Sequence, residues 1–197
     1  GTLHRNDTSM IEAAMIVEPE KRFVGFNTKE ELDAHAKILN SKDPIYTKWG
    51  GSKISTKLDI LTGTQKVLNP GSVMDLDGAI PNTIYQLQGH NVGKSLVETD
   101  TEIVKQVESF LSKAEEVKGS NGTEFLFDND VRLKLPKDVI VKTDAGIKNV
   151  PTFSIPADAS TADVGLETSI ERFKTIPKFK LNYGNGPSGI YEEGFTH

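Results

Sequence analysis

Residues 100–143 place the strongest constraint on the fold. Ile103, Val107, Phe110, Leu111 and Ala114 recur at helical spacing, Thr99 and Glu102 are set as a capping box, and Gly119 follows as a stop. This pattern predicts a helix from about Asp100 to Val117. Directly after it come TEFLF, VRLKL and DVIVK, three short strand-like runs parted only by DND and PK. A second helix is predicted over 28–40, where Thr28 and Glu31 are spaced as a capping box and Leu32, His35, Ala36 and Leu39 share one face. The expected fold class is α+β: short, mostly antiparallel strands, two main helices and a long irregular C-terminal tail.

Weaker signals fill in the remainder. Strands are expected at Thr2–Arg5, Lys21–Phe26, Ile45–Trp49, Ser52–Asp59 and Thr83–Leu87, and a short helix at Thr8–Val17. Residues 60–82 hold Pro70, Gly71, Gly78 and Pro81 and read as loop, with DLDG at 75–78 as a turn. After about residue 143, Pro, Gly, Ser and Asn become frequent, and only Leu166–Ile176 looks helical. NYGNGPSGIYEEGFTH is expected to be irregular or docked on the main body. The predicted organisation is a core domain over 1–150 and an irregular extension over 151–197 that packs on the core or on a partner.

Composition removes several classes of function. The chain of 197 residues carries a formal net charge of −5 and no block of Lys and Arg, so nucleic acid is not an expected partner. No apolar run is long enough to span a bilayer, and GTLHRNDTS lacks the apolar core of a signal peptide. With no cysteine there is no disulfide, thiolate metal site or thiol nucleophile. The four histidines, His4, His35, His90 and His197, show no paired zinc-ligand spacing, and no metal is expected. GHNVGKS at 89–95 imitates a phosphate-binding loop. It has only His90, Asn91 and Val92 between its glycines, one residue fewer than the loop needs to wrap phosphates, and reads as a glycine-containing turn.

Three stretches point to a different use of a nucleotide. TLHRND carries Arg5 on a presumed first strand, SKISTK places Ser55 and Thr56 after an apolar residue, and GTEFLFDNDVRLKL opens a strand pair with Glu124. This order resembles the arginine, serine, glutamate pattern of mono-ADP-ribosyltransferases, including bacterial toxin and effector members, over residues 2–142. The resemblance implies an NAD-consuming domain that cleaves the nicotinamide–ribose bond and transfers ADP-ribose to a protein acceptor. Glu124 would then be catalytic, stabilising the oxocarbenium character that develops as nicotinamide leaves. Arg5 would bind the dinucleotide phosphates through its planar fork, and Ser55 and Thr56 would brace the cleft.

Two departures bear on the acceptor. Lys57 replaces the last serine of the Ser-Thr-Ser pattern, and Gly122 stands two residues before Glu124, where arginine-modifying members have an acid. These argue against an arginine acceptor and leave another acceptor, NAD hydrolysis or a noncatalytic copy open. The same resemblance implies a secreted effector acting in a target-cell cytoplasm; the oligomeric state is open. The competing reading is a noncatalytic structural or interaction module, such as a phage or surface-assembly component.

Overall fold

The computed structural model describes residues 12–195. The chain divides into two compact units, 1–40 and 41–197. The first contains helix α1 (Glu12–Ile16), a 3-10 turn at Pro19–Lys21 and helix α2 (Phe26–Leu39). The predicted helix over 28–40 is therefore present, but it starts at Phe26 with Gly25 as its N-cap and no side-chain cap. The strand expected at Lys21–Phe26 is absent, and Thr2–Arg5 lies outside the described residues.

The second unit is a layered α/β structure. Its main sheet is built from β1 (Ile45–Trp49), β2 (Val73–Leu76), β3 (Ala114–Glu116), β4 (Glu124–Phe127), β5 (Arg132–Lys134) and β9 (Leu181–Asn185). Their order is β3-β4-β5-β2-β1-β9. The β5-β2-β1-β9 half is parallel, and β3 and β4 add antiparallel pairs at one edge. The expectation of short antiparallel strands holds for that edge and for a second sheet, β7-β6-β8. That sheet comprises β6 (Asp138–Thr143), β7 (Gly146–Pro151) and β8 (Ser160–Val164), with Val139, Val141, Ile155 and Ala159 as its core. It does not hold for the parallel centre.

Helices α3 (Ser55–Val67), α4 (Ala79–Leu87) and α5 (Thr101–Leu111) carry the connections. Phe110 of α5 packs on Phe127 of β4, with ring centroids 5.3 Å apart, which puts the long predicted helix on the apolar face of the sheet. Asp100 caps it, accepting from the amides of Glu102 at 2.9 Å and Ile103 at 3.4 Å. The helix ends at Leu111 rather than Val117, because residues 114–116 pair with β4.

Two predicted strands are helices. Residues 55–59 of the strand expected at Ser52–Asp59 open α3, whose buried Leu58 and Leu61 continue at helical spacing from the buried N-cap Ile54. Thr83–Leu87 belongs to α4, which is buried from Ala79 through Tyr85 and so shows no one-sided pattern. The helix read at Leu166–Ile176 is present as α6 (Leu166–Thr175), but the tail otherwise expected to be irregular also contributes β8 and β9, the last pairing in parallel with β1. Its register lies along the buried β1, which satisfies both backbones and orders the segment.

The face of the main sheet beneath α6 is unusual. Pairing aligns Glu124, Lys134, Asp75 and Lys48 in one row across β4, β5, β2 and β1, so charges alternate in sign from strand to strand. Over this row α6 turns Glu171 and Arg172 inward, while Leu166, Ile170 and Phe173 face outward and are exposed.

Candidate functional site

The carboxyl ends of β1, β2 and β9 are each followed by glycine. Gly50 and Gly51 follow β1, Gly78 follows β2 by one residue, and Gly186 and Gly189 follow β9. From β1 the chain builds outward through β2 and β5 in one direction, whereas β9 lies on β1's other side. Open parallel sheets bind ligands at such a reversal, outside the strand ends.

Here the three loops press backbone on backbone. Gly50 donates to the carbonyl of Asn185 at 2.8 Å, Asp77 to that of Trp49 at 2.7 Å, and Ala79 to that of Gly51 at 3.2 Å. Gly78 has φ of +67°, and a Cβ on it would run into the backbone of Gly51. A Cβ on Gly186 would likewise meet the carbonyl of Gly50. Glycine is required at both by close approach.

Beside these loops opens a cleft of about 460 Å³ whose walls include Gly51, Gly78, Asn82, Thr161, Ser188 and Glu192. The N-terminus of α4 opens onto it at Gly78 and Ala79. Lys57, on the first turns of α3, reaches between the loops. Its Nζ donates to Asn185 Oδ1 at 2.8 Å and lies against Gly51 and Gly186. Burial pushes the Lys57 ammonium below its ordinary range, since a partly desolvated charge is disfavoured. Glycine loops, a helix N-terminus and a desolvated cation together suit an oligophosphate.

Under the cleft lies a compact ionic cluster. Arg172 Nη2 is 2.5 Å from both Asp75 Oδ1 and Asp77 Oδ1, its Nε is 2.8 Å from Asp75 Oδ2, and its Nη1 is 3.1 Å from Asp77 Oδ2. Tyr46 donates its hydroxyl to Asp75, and Lys48 Nζ stands 3.3 Å from Asp77. Burial raises the Asp75 carboxyl, with Arg172 opposing. Burial also raises the Tyr46 phenol, reinforced by the Asp75 charge, and it opposes the charge on Arg172, but the two carboxylates outweigh it and keep Arg172 protonated. Among the described residues no group of three or more His, Asp or Glu is arranged to hold a metal.

The residues singled out in the sequence lie elsewhere. Ser55 and Thr56 open α3 rather than a strand; both are exposed, and Thr56 Oγ1 donates to the Lys53 carbonyl at 3.3 Å. Glu124 sits on β4, 2.9 Å from Arg132, 3.5 Å from Lys134 and 3.9 Å from Lys137, inside a neutralising ion cluster. Arg5 lies outside the described residues. The GHNVGKS segment links α4 to α5 and is pinned to the second sheet's loop, Asn91 donating to the Ile155 carbonyl at 3.0 Å and Lys94 to that of Ala159 at 2.6 Å. Lys57, noted in the sequence only as a break in the Ser-Thr-Ser pattern, is the residue between the loops. The signal that marks this site is glycine directly after each of two strand sequences, IYTKW and LNYGN.

Comparison with known proteins points the same way. The family model described as phosphoglycerate kinase matches residues 1–197. The cytosolic phosphoglycerate kinase 3 of Arabidopsis thaliana is 33% identical over 198 residues, covering 98% of this chain and 44% of the relative. The phosphoglycerate kinase structure from Coxiella burnetii matches with a TM-score of 0.68 at 26% identity, covering 85% of this chain and 40% of that one. The Pyrococcus horikoshii enzyme shares the fold with a TM-score of 0.72 at 20% identity, over 99% of this chain and 46% of its own. The chain thus spans less than half the length of the relatives it matches.

These matches overturn the ADP-ribosyltransferase resemblance and, with it, NAD as substrate, since the relatives are kinases. They lend no support to the noncatalytic module. The secreted effector does not stand either, as the Arabidopsis relative is named cytosolic. The reason is physical: three short motifs matched in order, but one folds as a helix and another is absorbed by ion pairs. Matched by one family model along its whole length, the chain belongs to the phosphoglycerate kinase family.

Proposed function

We propose that this chain forms the nucleotide-binding part of a phosphoglycerate kinase, an enzyme that moves a phosphoryl group between a nucleotide and phosphoglycerate. The observation that carries the reading is the glycine-walled cleft at the carboxyl ends of β1, β2 and β9, with Lys57 between its loops. Phosphoryl transfer asks little covalent chemistry of a protein; it asks for position and for compensation of charge. Gly78 and Gly186 let the loops pack closely enough to present the main chain of Gly51, Gly78 and Ala79 to the cleft, and the N-terminus of α4 supplies a positive field. Lys57, held by Asn185 against Gly51 of the cleft wall, supplies the cation, already partly stripped of water. Magnesium enters as part of the nucleotide substrate, and phosphoglycerate as the second substrate.

Titration calorimetry of the 197-residue chain with Mg-ADP and Mg-ATP tests this reading. Saturable binding is expected, and Lys57→Ala should weaken it roughly 10- to 100-fold, the value of a charge-assisted hydrogen bond. Absence of binding with both nucleotides, in a chain shown to be folded, overturns it.

A further inference from the structure

Asp77 is fully buried, yet one of its bonds leaves the core for the cleft. Ser188, in the loop after β9, donates its hydroxyl to Asp77 Oδ2 at 2.6 Å. Ser188 is itself buried and lines the cleft, while Lys48 reaches both Asp77 and the Gly186 carbonyl, the latter at 3.4 Å. A single carboxylate therefore joins α6, through Arg172, and β1, through Lys48, to the glycine loop. A buried charge set of this kind contributes little net stability against an apolar alternative of the same shape, so its placement points to a geometric role.

We propose that Asp77 is a positioning residue of the nucleotide cleft: by holding Ser188 it fixes the 186–189 loop in the conformation that receives the phosphates, with Arg172 and Lys48 balancing its charge. This rests on the reading of the cleft as a nucleotide site. Asp75, which shares Arg172 but makes no bond to the loop, orients the guanidinium and has no such role.

The test uses the full chain and Ser188→Ala, which removes the bond to the loop and leaves the buried charges paired. Mg-ADP affinity should fall about tenfold, the size of one hydrogen bond to a charged group. The thermal midpoint should stay within about 2 °C of the parent. Amide hydrogen exchange should quicken over residues 186–190 and remain unchanged in β2 and α6. Asp77→Asn, which keeps an acceptor for Ser188 but removes the charge, should lie between parent and Ser188→Ala in loop exchange. Parental affinity and parental exchange in Ser188→Ala would overturn the proposal. So would an affinity loss that merely tracks a lowered midpoint, which would make Ser188 a general stabiliser. If the parent itself binds no Mg-ADP, the cleft reading fails and the nucleotide role with it, while the exchange data alone decide whether the tether orders the loop.

Discussion

The carboxylate of Asp138 caps the N-terminus of α6 through Thr168, accepting from that residue's amide at 2.8 Å and its hydroxyl at 2.7 Å. It also accepts from the amide of Glu167 at 2.9 Å and from Asn149 at 2.9 Å, so a residue on β6 does the work of a local N-cap. Gly165 permits this, since a Cβ there would overlap the Asp138 carboxylate.

Burial alone would raise the Asp138 carboxyl, but the bonds from Thr168, Asn149 and Glu167 outweigh it and hold it below its usual range. A carboxyl lowered in the folded state adds stability above its unfolded pKa of about 4 and loses it as pH falls through the native value. Asp138→Asn should therefore be less stable than the parent at pH 7, and the gap should narrow below about pH 4. Urea unfolding of both proteins across that range checks it, and a constant gap would show that the charge is immaterial.

Gly78→Ala should disturb the cleft more than the core. It forces a side chain to φ of +67° and against the Gly51 backbone, so a loss of about 1–3 kcal/mol is expected. Mg-ADP binding should fall further than that loss alone accounts for, because the β1 loop must retreat. Calorimetry at a temperature well below the midpoint separates the two effects.

Arg172→Met should be among the most damaging single changes. It leaves Asp75 and Asp77 buried side by side without their shared guanidinium, a situation that costs about 3–5 kcal/mol. Removing Asp75 and Asp77 in the same background, as Asn, should recover part of that loss. Denaturant midpoints at fixed slope measure both steps.

Asp100→Ala probes α5 alone. Losing the bonds to the amides of Glu102 and Ile103 should cost about 1 kcal/mol, with no change in nucleotide affinity. A shift in affinity would mean that α5 is coupled to the cleft.

How much of this was legible in the sequence differs by element. α5 was readable because its apolar residues lie on one stripe and its start and stop signals are local. β1 was readable as a short run rich in strand formers. α3 misled because the β-branched Ile54 and Thr56 favour strands, whereas the helical spacing of Ile54, Leu58 and Leu61 shows only over a longer window. β2 was hidden because Asp75 lies inside it, and an acid in a strand buried at all four positions makes sense only beside Arg172, 97 residues away. The site escaped for the same reason. Its glycines come from three loops far apart in sequence, whereas local motifs such as GHNVGKS drew attention to a segment that links α4 to α5 and is tied to the second sheet.

The polar underside of α6 has a consequence for how the helix is seated. Glu171 meets Lys134 and Lys137, and Arg172, one residue on, meets Asp75 and Asp77. A greasy underside tolerates sliding, but turning this helix by one residue, about 100°, would bring like charges together or strand them. The interface works as a keyed joint, with one angular setting. Through Asp77 that setting passes to Ser188, so the shape of the cleft is indexed by a helix that contributes none of the described residues of its wall.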